Sequence, residues 1–331
     1  MQFEGTLLLR RCDVESLLGL RDCIDAVEKV FRLQGEGKIP RPGILGIHAP
    51  DGGLHVKAGL LSGERNLLVA KLNTNFPANG ARFGLPTIQG VIVIFDADNG
   101  SPVALLDSID ITVKRTAAAS AVAAKYLARR SSSVATICGC GVQGRAQVHA
   151  VNSVLPLKKV YAFDVNDSAT KTFASELSRE LKIDIEPVHD PRVSIRNSDL
   201  VITCTTSTQF FVRKEDVRPG TFIAAVGADD AYKQEIDPAL MASAKVIADS
   251  VEQVCSIGDT HHAIAKRVMC KEDVYAELSE IVAGQKPSRI SDNEIIVFDS
   301  TGIAIEDAVA ATAVYEKAHA ARLGTYFQFA A

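Results

Sequence analysis

The segment 134–144, with the sequence VATICGCGVQG, constrains the fold of this chain more than any other. An apolar, strand-like run ends there in the pattern GxGxxG, formed by Gly139, Gly141 and Gly144, and a helical pattern follows. In such a turn the first glycine permits a tight bend, the second lets the backbone approach a pyrophosphate, and the third lets helix and strand pack closely. The N-terminus of the helix attracts the phosphate charge. The segment predicts a dinucleotide site; a glycine-rich turn without a ligand is the alternative.

Short apolar segments follow this turn, with helical patterns between most of them. The predicted strands are 134–138, 160–164, 200–205, 221–227, 245–249 and 295–299. Strands covered on both faces are apolar nearly throughout, and alternation of strands with helices indicates a doubly wound parallel sheet. Asp164 ends the second strand, where a carboxylate accepts hydrogen bonds from an adenosine ribose. Because a carboxylate repels a 2′-phosphate, we expect NAD(H) as the cofactor.

The first third of the chain has a different pattern. Residues 12–35 predict a helix, and 44–95 predict a run of antiparallel strands separated by turn signals. An Ala-rich helix is predicted from Thr112, and a closing helix at about 304–322, ended by Gly324. The fold class is therefore α/β, a Rossmann sheet joined to a strand-rich α+β domain.

Composition limits the class of protein. A length of 331 residues suggests two domains, and a net charge of -4 disfavours a nucleic-acid or membrane-surface protein. No apolar run approaches the roughly 20 residues that span a bilayer. The seven cysteines are scattered without a CxxC pair, and neither they nor the adjacent His261 and His262 indicate a metal site. We expect a cytoplasmic enzyme with reduced thiols.

Four cations in the first part of the chain are candidates for binding an acidic substrate. Lys57 and Lys71 interrupt apolar strands, Arg41 follows a proline, and Arg115 begins the Ala-rich helix. A cation flanked by apolar residues in a strand either extends to solvent or faces a polar cavity. The residue pattern alone favours solvated cations.

Six motifs, taken in order, resemble one known family over nearly the whole chain. They are GLPTIQG (84–90), LLDSIDITVKRTAAASAVAAKYLA (105–128), GCGVQGRAQ (139–147), VGADDAYKQEIDP (226–238), YAELSEIVAGQKP (275–287) and VFDSTGIAIEDAVAA (297–311). The chain resembles the ornithine cyclodeaminase/mu-crystallin family. The motifs are far less specific to one member of that family.

The resemblance implies roles for particular residues. Lys71 and Arg115 match the family's carboxylate-binding cations, Arg41 fits a third, and Thr301 is expected near the substrate. Asp229 matches the acid/base aspartate; without the resemblance, Asp229 or Asp230 would be taken for an ordinary turn residue. The implied cofactor contacts are Thr87, Val142, Gln143, Asp164, Thr205, Val226, Lys233 and Ser300.

One position departs from the commoner family pattern. Where many members have a Met-Pro pair, this chain has Lys57 followed by Ala58. A further ammonium in the pocket would alter substrate preference, for example towards a second acidic group. The alternative is that Lys57 only supports the site or faces solvent.

These observations lead us to expect an NAD(H)-dependent enzyme that acts at the α-carbon of a small amino or imino acid. The sequence does not choose between ornithine cyclodeamination, cyclic-imine reduction and an alanine-dehydrogenase reaction. A non-catalytic, mu-crystallin-like binding protein is the alternative. Residues 1–115 and 303–331 are expected to form a substrate and dimerisation domain, and 116–302 the NAD-binding domain. The resemblance implies a homodimer formed through the strand-rich half, and the predicted open strand edges there give a physical reason to pair.

Overall fold

The computed structural model describes residues 5–40, 42–63 and 65–329. The chain divides into two compact units. One unit comprises the residues up to Arg115 together with those from Ile303 onward, and the other runs from Thr116 to Gly302.

The first part of the chain supplies six strands and four helices among its described residues. They are β1 (Thr6–Leu9), α1 (Arg11–Leu17), α2 (Leu20–Gly35), β2 (Gly43–Ala49), β3 (Gly52–Leu61), β4 (Leu67–Asn75), α3 (Asn79–Phe83), β5 (Ile88–Asp96), β6 (Pro102–Asp107) and α4 (Ile109–Leu127). The division between the units falls after Arg115, within α4.

The remaining elements alternate more regularly between strand and helix. They are β7 (Val134–Cys138), α5 (Val142–Val154), β8 (Lys159–Phe163), α6 (Asp167–Leu181), β9 (Asp184–Pro187), α7 (Pro191–Asn197), β10 (Leu200–Thr203), β11 (Phe222–Ala225), α8 (Pro238–Met241), β12 (Lys245–Ala248), α9 (Val251–Val254), α10 (Gly258–Ala265), β13 (Ala276–Glu277), α11 (Leu278–Val282), β14 (Ile296–Asp299), α12 (Ala304–Ala321) and β15 (Thr325–Phe327).

The first unit is built on a seven-stranded sheet in the order β15-β1-β6-β5-β4-β3-β2. Neighbouring strands in this sheet are antiparallel, except β1 and β6, which are parallel. Helix α12 packs on β3 and β4 and also contacts α2. This face of the sheet is buried and largely apolar: Val69, Ile92 and Ile94 are buried on it, as strand alternation requires, beside Lys57 and Lys71.

The opposite face of this sheet remains open. Leu45, Val56, Leu72 and Val91 form one cross-strand row from β2 to β5. Leu45 and Val91 are exposed, and every residue of β2 is exposed. An exposed apolar surface of this kind is typical of an interaction face.

The second unit contains an eight-stranded parallel sheet in the order β13-β12-β14-β11-β10-β7-β8-β9. The predicted doubly wound parallel sheet is confirmed. The chain leaves β7 towards β8 on one side and returns to β10 on the other side. In open sheets of this type, ligands bind beyond the carboxyl ends of the strands at this reversal.

Several element bounds differ from the predicted ones. The helix predicted over 12–35 is two helices, because Leu18 and Gly19 take extended conformations between α1 and α2. The closing helix stops at Ala321, and Arg322, rather than Gly324, is the first residue in the left-handed conformation. The strands β1, β6, β9, β13 and β15 and the helix α3 were not predicted, and most of them are short or polar segments, which carry little periodic signal.

Over the described ranges, no helix is both long and apolar enough to cross a bilayer.

Candidate functional site

The glycine turn after β7 has the geometry that its sequence predicts. Gly139 has a φ of 107°, and a Cβ there would lie 2.7 Å from the carbonyl oxygen of Cys204. A Cβ on Gly144 would collide with the carbonyl oxygen of Gly139. Gly141 precedes α5 and has open space where its Cβ would be. The turn therefore fits a pyrophosphate placed against the helix N-terminus.

Asp164 follows β8 and is fixed beside this turn. Its Oδ2 accepts a hydrogen bond from the Cys140 amide at 2.8 Å, and its Oδ1 accepts one from the Asn166 amide at 2.9 Å. Val142 is 70% exposed at the start of α5, and Gln143 after it is half-buried. The carboxylate thus lies at the rim of the turn, as a ribose contact requires.

Glu235 connects the loops that follow β10 and β11. Its Oε1 accepts hydrogen bonds from the amide and the hydroxyl of Thr205, each at 2.7 Å, and its Oε2 accepts one from the Gly227 amide at 2.9 Å. Its side chain is fully buried, and this burial raises the pKa of the carboxyl. This buried acid, which was not predicted from the sequence, therefore holds Thr205 and the backbone directly after Val226.

The two adjacent aspartates in the loop after β11, Asp229 and Asp230, make different contacts. Asp230 accepts hydrogen bonds from the amides of Tyr232 and Lys233, at 2.8 and 2.9 Å, and so forms the turn. Asp229 instead has a carboxylate that is 53% exposed and paired with Lys233 Nζ at 2.5 Å. Burial lowers the pKa of Lys233, but the charge and hydrogen bond of Asp229, together with the charges of Asp230 and Glu235, outweigh burial. The net pKa is raised, so Lys233 remains a cation. The turn therefore occupies the carboxylate of Asp230, whereas the carboxylate of Asp229 stays exposed beside Lys233.

Ser300 and Thr301 follow β14 and are held by Asp249. The Ser300 hydroxyl donates to Asp249 Oδ2 at 3.1 Å, and the Thr301 amide donates to the same oxygen at 2.8 Å. The Thr301 hydroxyl also accepts a hydrogen bond from Gln253 Nε2 at 2.6 Å. Both side chains are buried, so their hydroxyl groups serve this internal network.

In the other unit, the structure brings Lys57, Lys71 and Arg115 together. Lys57 and Lys71 are directly opposite each other on β3 and β4, so their side chains lie on the same face of the sheet. Lys57, Lys71 and Arg115 are 8%, 4% and 5% exposed. The solvated alternative is therefore wrong for all three.

Two acids on α12 complete this cluster. Asp307 pairs with Lys71 Nζ at 2.7 Å and accepts a hydrogen bond from Arg115 Nε at 2.9 Å. Glu306 accepts one from Arg115 Nη1 at 2.8 Å. The sequence analysis missed both acids because, in an Ala-rich helix, they resemble a solvent-facing pair. Their position in the first turn, between apolar neighbours, was the available signal.

The cluster changes the acid–base properties of its members. The pKa of Lys71 is lowered to about 7, mainly by burial. The charges of Arg115 and Lys57 contribute to this lowering, and the charge of Asp307 opposes it. Burial raises the pKa of Asp307, but the cations around it, Arg115 first, hold it below its ordinary value. Asp307 therefore stays ionised, whereas Lys71 changes its charge near neutral pH.

The remaining candidate residues from the sequence, Arg41, Thr87 and His262, lie outside the groups described above. Arg41 lies outside the described residues. Thr87 is exposed, just before β5 in the unit that holds the cations, and its carbonyl accepts a hydrogen bond from the Phe76 amide at 2.8 Å. His262 is half-buried, and its Nε2 lies 2.8 Å from the Lys233 carbonyl oxygen. The described residues include no group of three or more His, Cys, Asp or Glu side chains arranged for a metal ion.

Comparison with known proteins identifies relatives along almost the whole chain. The model of the ornithine cyclodeaminase/mu-crystallin family matches residues 4–322. The chain is 37% identical over 325 residues to an alanine dehydrogenase of Archaeoglobus fulgidus, covering 98% of each. The resemblance inferred from the motifs is confirmed.

Solved structures show the same similarity. An archaeal alanine dehydrogenase dimer with bound NAD has a TM-score of 0.94 and 36% identity, covering 98% of this chain and 99% of that one. The Thermococcus litoralis Δ1-pyrroline-2-carboxylate reductase, in complex with NADH and L-proline, has a TM-score of 0.91 and 35% identity, covering 97% of this chain and all of that one.

We predict that Glu235→Gln loosens the loop after β11. The amide side chain can present only one acceptor oxygen, so either Thr205 or Gly227 faces an N–H group, and unsatisfied buried donors cost about 1–3 kcal/mol each. Hydrogen exchange followed by mass spectrometry should show faster exchange in peptides covering 205–207 and 226–236. Glu215→Gln, in an exposed position, is the control. Unchanged exchange in Glu235→Gln would show that the carboxylate does not hold the loop.

Proposed function

The chain belongs to the ornithine cyclodeaminase/mu-crystallin family, and from this premise we propose that it is an enzyme catalysing NAD(H)-dependent chemistry at the α-carbon of a small amino or imino acid. The observation that carries the proposal is the buried cluster of three cations and two carboxylates in the first unit. Buried cations that are already held in place are preorganised to bind an anion. The α-carboxylate of an amino acid is such an anion.

The cations have distinct roles in binding the carboxylate. The Arg115 guanidinium is fixed by Glu306 and Asp307, so it is held ready to donate to a carboxylate. Lys71, whose pKa is about 7, becomes fully protonated when a carboxylate lies beside it. We assign Lys71 and Arg115 to the substrate carboxylate, and Arg41 and Thr301 as further substrate contacts.

The second unit is proposed to hold the cofactor. Gly139, Gly141 and Gly144 would receive the pyrophosphate and Asp164 the adenosine ribose, as the open space at Gly141 permits. Bound NAD(H) would supply or accept the hydride. The further contacts proposed are Thr87, Val142, Gln143, Thr205, Val226, Lys233 and Ser300.

Asp229 is proposed to move the protons of the reaction. Its exposed carboxylate can accept a proton from an amine or from water that attacks an imine, and Lys233 beside it stabilises the ionised form. The same group serves reduction in the reverse direction, because each route transfers protons at the same nitrogen. We propose the alanine-dehydrogenase or cyclic-imine-reductase reaction, both of which are named among the relatives.

We also propose a homodimer formed through the open face of the first unit's sheet. The row Leu45, Val56, Leu72 and Val91 provides an apolar surface on β2 to β5. A face of this kind can pair with its own copy around a two-fold axis. The archaeal alanine dehydrogenase that this chain resembles is itself described as a dimer.

Asp164 should make the enzyme bind NADH more tightly than NADPH, because its carboxylate repels a 2′-phosphate. Fluorescence titration of both cofactors measures the difference, and Asp164→Ser should narrow it. Asp167→Ser, three residues further along and exposed, should leave the preference unchanged. Equal or reversed affinities in the wild type would contradict the assignment of Asp164.

Three assays distinguish the possible net reactions. With NADH, pyruvate and ammonium, an alanine dehydrogenase consumes NADH; with NADH and pyrroline-2-carboxylate, a cyclic-imine reductase does so. With catalytic NAD+ and L-ornithine, a cyclodeaminase yields proline and ammonia without net NADH. We expect turnover in the first or second assay. Inactivity in all three would contradict the proposal and favour a small-ligand binding protein.

Lys71→Ala and Arg115→Ala should reduce kcat/KM in the active assay by roughly 30- to 5000-fold, because each removes a charged partner worth about 2–5 kcal/mol. NADH affinity should stay near the wild-type value, since both residues lie in the first unit. Lys38→Ala, on the exposed loop after α2, is the control. Wild-type activity in both variants would show that the carboxylate is bound elsewhere.

Asp229→Asn should lower kcat by about 100- to 10,000-fold, the usual contribution of general acid–base catalysis. Asp230→Asn is a matched control, because an asparagine oxygen can still accept the turn hydrogen bonds of Tyr232 and Lys233. NADH titration separates this effect from cofactor binding. Full turnover in Asp229→Asn would remove Asp229 from the mechanism.

A further inference from the structure

A cavity in the second unit is lined mainly by cations and has no part in the proposed function. It has a volume of about 700 Å³ and lies between the end of α4, the segment before β7 and the loop that joins α11 to β14. Its lining contains the cations Lys125, Arg129, Arg130 and Arg289 and one acid, Asp292. Such a local excess of cations is unusual in a chain whose net charge is -4.

The cavity lies at the edge of the parallel sheet opposite to the glycine turn. Arg129 and Arg130 precede β7, and Arg289 and Asp292 precede β14, so the cavity is at the amino ends of two strands of this sheet. The glycine turn and Ser300 follow the same two strands at their carboxyl ends. Because β7 has five residues and spans roughly 16 Å, the cavity is separate from the proposed cofactor site.

The acids behind the cavity do not offset its positive charge. Asp199 Oδ1 pairs with Arg129 Nη2 and with Arg218 Nη2, each at 2.7 Å, so one carboxylate serves two guanidinium groups. Glu294 pairs with Lys245 Nζ at 3.3 Å. Each of these acids therefore brings a further cation with it, and the formal charges in and around the cavity still sum to a positive value.

Arg289 is held in place by backbone carbonyl groups. Its Nε donates to the Leu127 carbonyl at 2.8 Å, and its Nη1 donates to the carbonyls of Glu294 and Ser291 at 2.6 and 3.2 Å. Leu127 ends α4, and the C-terminus of a helix carries about half an elementary negative charge, which Arg289 alone outweighs. Capping of α4 therefore does not require the other three cations of the lining.

The two arginines nearest the sheet have unused donors. Arg129 Nε and Arg289 Nη2 are buried and lack a hydrogen-bond partner among the described residues. Burial lowers the pKa of Arg289, and the charge of Arg129 lowers it too, although Glu294 and Asp292 oppose this. The two guanidinium groups are thus near enough to repel each other. A bound ion is one feature that accounts for buried donors of this kind.

We propose that this cavity binds a small phosphate-bearing anion at a site separate from the proposed cofactor site. A guanidinium group suits a phosphate because its planar fork donates two parallel hydrogen bonds to two oxygens. The volume of about 700 Å³ admits inorganic pyrophosphate and also a small organic phosphate. Lys125 and Arg130 are exposed, so an anion can approach from solvent. Neither the reaction nor its substrate enters this inference, which therefore stands apart from the proposed function.

Calorimetric titration with inorganic pyrophosphate tests the proposal on protein saturated with NADH, which occupies the glycine turn. We expect one pyrophosphate per chain, bound more weakly as NaCl is raised, without displacement of NADH. The double variant Lys125→Gln/Arg130→Gln should weaken binding at least about tenfold, because it removes two charged donors. Both side chains are exposed, so the fold should be retained, and thermal unfolding verifies this.

Two further variants make the test specific to the cavity. Lys171→Gln/Arg179→Gln removes two exposed cations from α6 and so changes the net charge equally, but it should leave pyrophosphate affinity unchanged. Arg289→Lys keeps the charge and loses the planar fork, so it should weaken binding severalfold.

Titrations with inorganic triphosphate and adenosine triphosphate distinguish the sources of the phosphate. Tighter binding of the nucleotide would identify an organic phosphate, and equal affinities would identify the phosphate chain alone; both agree with the proposal. Three results would overturn it: no binding of pyrophosphate to the NADH-saturated protein, release of NADH by pyrophosphate, or equal affinities in the wild type and Lys125→Gln/Arg130→Gln. Binding of duplex DNA that pyrophosphate does not compete with would also overturn it, because the cations would then form a nucleic-acid surface.

Discussion

The buried ion pairs of Lys71, Arg115 and Asp307 are the constraint on which the first unit depends. They join β4, α4 and α12 into one cluster, although Lys71 and Asp307 are more than 230 residues apart in the sequence. Each of the three charged side chains is less than a tenth exposed. A buried ion pair contributes little net stability, but removal of one partner leaves an uncompensated charge and costs about 3–5 kcal/mol. Helix α12 can therefore pack against the sheet only in positions that keep these ion pairs intact.

In the second unit, buried carboxylates likewise hold separate segments of the chain together. Asp259 accepts the amides of Glu235 and Ile236, each at 2.8 Å, and Asp299 accepts the amide and hydroxyl of Thr260 at 2.8 and 2.6 Å. Burial raises the pKa of Asp299 to about 7 and holds the pKa of Asp259 well above its ordinary value. Asp259 supplies an acceptor to amides of the loop that carries Asp229, and Asp299 supplies one to the first turn of α10, where backbone N–H groups lack a backbone partner. Glu235 and Asp249 hold the loops of Thr205 and Thr301 in the same way.

The sequence predicted the parts of this structure that depend on local pattern. The glycine turn and Asp164 follow from spacing, and β7 was predicted at its observed bounds, because a buried parallel strand and its turn carry a strong local signal. The proximity of Lys57, Lys71 and Arg115 could not be derived locally, since it depends on strand register and on α12. The resemblance to the family suggested the roles of Lys71 and Arg115 but not that of Lys57.

The residues that were missed share one physical property. Glu235, Glu306 and Asp307 are acids whose side chains are buried and satisfied by partners distant in the sequence. A single sequence cannot distinguish such an acid from an exposed one, because exposure is the usual state of a carboxylate and its partner is set by the tertiary fold. The same limit explains why Asp229 and Asp230 could be separated only once the turn hydrogen bonds were known.

The buried charged groups of the two units are compensated in different ways, and this difference connects stability with binding. The acids of the second unit are compensated mainly by backbone amides, so they need no ligand to be satisfied. The cluster of the first unit instead contains Lys71, whose pKa is lowered to about 7, mainly by burial, so that it loses its proton near neutral pH. A carboxylate bound beside Lys71 opposes that loss, because its charge favours the protonated lysine. Binding at or above pH 7 must then take up a proton, so substrate binding and the protonation of Lys71 are linked equilibria.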